Sequence, residues 1–84
     1  MDKATIRLLI LNRLTQAYPY AITVSTLRVQ LRHEGCDIES PEVTDHLRAL
    51  ADEALVNVDR DSLDKDVRRW RVTEKGRSYL AAQG

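Results

Sequence analysis

The chain has 84 residues, enough for one small domain (1–84) with a modest core. Thirteen Lys and Arg balance thirteen Asp and Glu, so the formal net charge is zero and the positive excess common in nucleic-acid-binding domains is missing. An apolar fraction of 43% argues against disorder, and the single cysteine, Cys36, excludes an internal disulfide and fits a reducing, cytoplasmic setting.

The apolar residues near the N-terminus are interrupted by Arg7, Asn12 and Arg13, unlike a signal peptide. No apolar run approaches the roughly 20 residues needed to span a bilayer, so no membrane partner is expected. Asp2 to Ala17 reads as a helix with Ile6, Ile10, Leu14 and Ala17 on one stripe. Leu8, Leu11 and Tyr18 fall on a different side. Two explanations fit: a helix central to the core, or one whose Leu8 and Leu11 touch a second subunit. Tyr18-Pro19-Tyr20 ends it, because a residue before proline avoids the helical region.

Ala21 and Ile22 can form a short strand beside a later hairpin. Thr23 is positioned to cap a second helix, Val24 to His33, with Val24, Leu27 and Leu31 inward. Gly35 can take the left-handed backbone of a helix end. A third helix, Pro41 to Glu53, has Ser40 as its expected cap, Pro41 at its first position and Glu42 at the positive end of its dipole. Val43, Leu47, Leu50 and Ala54 form its apolar stripe.

Leu55 to Asp59 and Val67 to Val72 read as two strands joined by the polar turn Asp61 to Asp66. Alternation puts Trp70 and Val72 on the inner face and Arg69 and Arg71 on the other. Thr73 caps a last helix, whose inward residues are expected to be Tyr79 and Leu80. Its end, residues 81–84, should fray.

On a wheel of about 100° per residue, the outward centre of the third helix holds Asp45, Arg48 and Asp52. Thr44 lies on one flank; Glu42, His46 and Glu53 lie on the other. Arg48 is spaced to reach both Asp45 and Asp52. In the hairpin, Arg60, Lys65, Arg68, Arg69 and Arg71 cluster. They read either as phosphate contacts or as a solvated face paired with Asp59, Asp61, Asp64 and Asp66.

Other chemistry is sparse. His33 and Cys36 have ligand spacing, but zinc needs denser Cys and His, so no metal or cofactor is expected. There is no Gly-rich phosphate loop and no arrangement of nucleophile, base and orienting acid, which reads as a non-enzyme.

The segment Trp70 to Leu80 contains Thr73-x-x-Gly76-x-x-x-Leu80. It is similar to the strand and helix start that follow the wing in many winged helix-turn-helix proteins. Val43-Thr44-Asp45-His46-Leu47-Arg48-Ala49-Leu50 resembles their recognition helices, with Leu55-Val56 entering the wing. With the order of the elements, the resemblance extends over nearly the whole chain. It is to the superfamily of small bacterial or phage regulators that includes the MarR, ArsR and PadR families, without singling out one.

The resemblance implies a mainly α fold with a small β-hairpin, in the order helix, strand, helix, helix, strand, strand, helix. It also implies double-stranded DNA binding by a transcriptional regulator or accessory factor. Thr44, His46 and Arg48 would face bases, while Arg60, Lys65, Arg68 and Arg69 would hold phosphates. The acidic recognition helix departs from the family pattern, since phosphates repel carboxylates. The alternative is a winged helix that docks a basic protein partner through Asp45 and Asp52 and binds no DNA.

Overall fold

The computed structural model describes residues 1–60 and 67–83, except for the Arg60 side chain. The expected turn Asp61 to Asp66, with Lys65 in it, lies outside the described residues.

Four helices surround a small antiparallel sheet. Helix α1 spans Lys3–Ala17 and starts on Asp2, whose side chain accepts from the Thr5 amide at 2.8 Å. Hydrogen bonding from Thr5 holds the Asp2 carboxyl below its ordinary value. Ile6, Ile10, Leu11 and Leu14 are buried. Leu11 therefore belongs to the core, not to a subunit contact: it is only 1% exposed. The reason is that α1 packs against all three other helices as well as a strand, so more than one of its sides faces inward.

Strand β1, Ile22–Thr23, runs directly into α2, Val24–His33. The Thr23 hydroxyl accepts from the Thr26 amide at 3.3 Å, the expected cap. Leu27 and Leu31 are fully buried, and Val24 packs against them partly exposed. Gly35 takes a left-handed φ of +83°, which lets the Cys36 amide donate back to the Leu31 carbonyl at 2.9 Å. Cys36 is buried, and that burial raises its thiol above the ordinary value.

Helix α3 spans Ser40–Asp52. Ser40 is its first residue rather than its cap: Glu39 holds the cap position and makes no side-chain cap bond. The ladder already starts at the Glu39 carbonyl, which accepts from Val43 at 3.1 Å. Ala54, expected on the inward stripe, is exposed and left-handed (φ 61°). The helix has ended by then. The Leu55 amide folds back onto the Leu50 carbonyl at 3.0 Å, and this turn carries Ala54 off the apolar face.

Strands β2 (Val56–Arg60) and β3 (Arg68–Val72) form the hairpin, and β1 adds to the other edge of β3. Trp70 sits between Ile22 and Val58 in the register, and Val72 lies opposite Val56. Trp70 and Val72 are buried as alternation predicts.

Thr73 joins hairpin to helix. Its amide donates to the Leu55 carbonyl at 3.1 Å and its hydroxyl to the Ala54 carbonyl at 2.7 Å. The same hydroxyl accepts from the Gly76 amide at 3.0 Å, capping α4, Glu74–Gln83. Gly76 is pressed against the start of the hairpin. A Cβ there would run into the Leu55 carbonyl oxygen and come 2.8 Å from Val72 Cγ2. With Gly76 pointing inward, Leu80 is about 40° from that direction and Tyr79 about 60° on the other side. Leu80 packs on the core, whereas Tyr79, expected inside, is 43% exposed. Among the described residues, no helix is long and apolar enough to cross a membrane.

Candidate nucleic-acid interface

Helices α2 and α3, linked by the turn at Gly35, form the helix-turn-helix, and the hairpin lies beside them. The outer side of α3 exposes Glu42, Asp45, Arg48, Asp52 and Glu53. Thr44 is half-buried, and its hydroxyl donates to the Ser40 carbonyl at 3.0 Å, which leaves only its acceptor lone pairs for another molecule.

His46 is a correction. Expected to face bases, it is 4% exposed and points into the protein. Its Nδ1 accepts from Arg7 Nε of α1 at 3.2 Å, and its Nε2 lies 3.5 Å from Glu42 Oε2 one turn earlier. A guanidinium only donates, so the acceptor at Nδ1 places the ring proton on Nε2, facing the carboxylate. The wheel put His46 on a flank; α1, which the wheel does not contain, turned that flank inward.

Most arginines are engaged within the protein. Arg13 pairs with Glu34, Arg28 with Glu39 at 2.9 Å, and Arg32 with Asp37 at 3.6 Å. Arg77 lies 4.0 Å over the Tyr18 ring. In the hairpin, Arg71 reaches both carboxylate oxygens of Asp59, at 3.1 and 3.4 Å, so for this arginine the paired reading holds. Arg69 is exposed on β3 and is engaged. Among the described side chains, two arginines have no hydrogen bond, ion pair or ring contact: Arg48 on α3 and Arg68 on β3. Arg48 does not bridge to Asp45 or Asp52.

Arg60 is the register partner of Arg68, at the end of the hairpin next to the connecting segment. Arg68 also lines a shallow cleft of about 360 Å³ with Thr23, Val24 and Ser25, at the first turn of α2. Sequence reading missed this neighbourhood. The signals were Thr23 as a cap and a short strand expected beside the hairpin, and they place Thr23 near Arg68 only once β1 pairs with β3.

No protein-family model and no curated protein matches the sequence. Solved structures do match. They include a point mutant of MepR from S. aureus bound to an oligodeoxyribonucleotide, with TM-score 0.79 and 20% identity over 90% of this chain and 51% of that one. The transcriptional regulator BldR from Sulfolobus solfataricus gives TM-score 0.70 and 22% identity over 88% of this chain and 50% of that one. A PadR-like transcription factor from Bacteroides fragilis gives TM-score 0.79 and 16% identity over 96% and 78%. The chain spans about half the length of the first two. What these likenesses establish is the architecture: the chain is a winged helix-turn-helix domain.

Proposed function

We propose that this domain binds double-stranded DNA and serves as a transcriptional regulator or accessory factor. The observation that carries the reading is the placement of the two unengaged arginines. One is on the outer side of the recognition helix and the other is on the hairpin, the two elements a winged helix lays against DNA. Arg48 is the base-reading side chain, with Thr44 beside it as an acceptor. Arg60, Lys65, Arg68 and Arg69 hold phosphates. Asp45 and Asp52 limit affinity, and in this reading they make binding dependent on what Arg48 finds.

A second reading keeps the fold and changes the partner. The carboxylates exposed on α3 and the zero net charge favour a basic protein docking on Asp45 and Asp52. Titration against random-sequence duplex at low salt, then at rising salt, separates the two. DNA binding loses affinity with a log–log slope of about 0.9 per phosphate contact. No binding at low salt rejects it in favour of the protein partner.

The DNA reading includes a homodimer matched to two half-sites. Leu11 is in the core, so the contact falls to Leu8 with Leu9 and Leu80. They line an apolar groove of about 420 Å³ edged by Thr5, Asn12 and Gln83. Among the described residues no charged one lines it, so two copies meet there without like-charge repulsion. A strictly monomeric mass in light scattering at high concentration removes the dimer from the proposal.

A further inference from the structure

Helix α3 is held to the core mainly by Val43, Leu47 and Leu50. Apolar contacts of this kind are non-directional. The ends of α3 are tied by Arg28 to Glu39 and by Lys75 and Thr73 to the Glu53 and Ala54 carbonyls. Between those ends, among the described residues, one side-chain hydrogen bond reaches another helix: from Arg7 Nε to His46 Nδ1 at 3.2 Å. It crosses from α1 to α3, and the imidazole that receives it is 4% exposed. On the other edge of the ring, Glu42 Oε2 lies 3.5 Å from Nε2, which makes no hydrogen bond, so Arg7 is the partner that holds the ring. Arg48 follows His46 by two residues, about 200° around the helix. The point at which α1 grips α3 is therefore nearly opposite the side chain that faces outward.

We propose that Arg7 is a positioning residue for the recognition helix. By fixing His46, it sets the rotation of α3 and hence the direction in which Arg48 is presented. This rests on the DNA-binding reading for its consequence, although not for its geometry. Rotating α3 would tilt the Arg7–His46 bond out of line or break it, leaving a buried nitrogen without its donor. The apolar stripe and the tied ends keep the helix attached, and this bond sets its rotation at mid-helix.

Three replacements isolate the bond. In Arg7→Gln, the amide Nε2 occupies the chain position of arginine Nε, so it can donate to His46 without the charge. In Arg7→Met, the terminal methyl fills the same position with no donor. Arg7→Lys keeps the charge but moves its nitrogen one bond further out. The first measurement is the His46 tautomer, from long-range 15N–1H correlations. The second is the orientation of α3 relative to α1, from residual dipolar couplings, with no DNA present.

Wild type and Arg7→Gln should show a single Nε2–H tautomer and one α3 orientation. Arg7→Met and Arg7→Lys should show mixed tautomers and a reoriented helix. If the helix orientation is the same in all four proteins, or if Arg7→Lys matches wild type while Arg7→Gln matches Arg7→Met, the proposal is overturned. Should Arg7→Met fail to fold, the comparison of Arg7→Gln with Arg7→Lys decides alone.

The DNA arm adds Arg48→Ala. It should weaken duplex binding about tenfold in wild type and in Arg7→Gln, but by less than about twofold in Arg7→Met. An equal loss in every background overturns the functional consequence. If wild type binds no duplex, the DNA reading fails, and the tautomer and orientation data still judge the role of Arg7.

Discussion

The two elements that a winged helix presents to its partner differ in charge and in how they are held. Helix α3 shows carboxylates around a single arginine, and its inner side is locked by three apolar residues and a hydrogen-bonded histidine. The hairpin shows arginines and is anchored through Trp70 and Val72 on one face. Its other face is tied by Arg71 to Asp59. The difference divides the work. In the proposed DNA-binding reading, the hairpin would carry the attraction to phosphates and the helix would restrict where that attraction succeeds. The zero net charge of the whole chain hides this separation.

The largest expected disturbance is at the joint between the two elements. Gly76→Ala would push a methyl into the Leu55 carbonyl, where α3 hands over to β2. Backbone cannot yield as a side-chain tip can, so a loss of about 3 kcal/mol is expected in urea denaturation. A loss below about 0.5 kcal/mol would show that the joint is loose and that helix and hairpin move independently.

Next in size is a change of charge on α3 alone. The double substitution Asp45→Asn and Asp52→Asn should tighten duplex binding about tenfold at low salt, with less effect at high salt. A basic protein partner would instead bind more weakly. No change in either direction would mean that the outer side of α3 meets nothing.

The smallest effect belongs to the hairpin's own ion pair. Arg71 and Asp59 are each nearly half exposed, so Asp59→Ala should change stability by no more than about 1 kcal/mol. The same change frees a guanidinium beside Arg69 and should steepen the salt dependence of duplex binding by about one contact. A stability loss above about 2 kcal/mol would assign the pair a structural role that its exposure does not suggest.

Much of the architecture was legible because it is written in local chemistry. Thr23 and Thr73 cap because a hydroxyl at a helix start has an amide within reach whatever lies beyond. Trp70 and Val72 turn inward together because strand side chains alternate. Gly76 was recognised as part of a motif, but its reason, the Leu55 carbonyl against it, appears only when α4 is packed.

The site was less legible. Alternation puts Arg68 on the face of Trp70 and Val72, yet it is exposed, whereas Thr44 and Arg48 emerged where the helical period put them. His46 did not, and neither did Leu11 or Tyr79. Periodicity fixes the angles between residues on one helix, whereas the neighbours decide which angles are covered. Helix α1 is packed on several sides, which buried Leu11 and drew in His46 through Arg7. Helix α4 is fixed at Gly76, which left Tyr79 outside. Taken alone, the sequence determined the order of elements, their caps and the acidic character of the outer side of α3, because these depend on residues a few positions apart. Only the tertiary structure decided which arginines were already engaged and that a directional bond joins α1 to α3. Arg7 and His46 are 39 positions apart in sequence, and no local rule connects them.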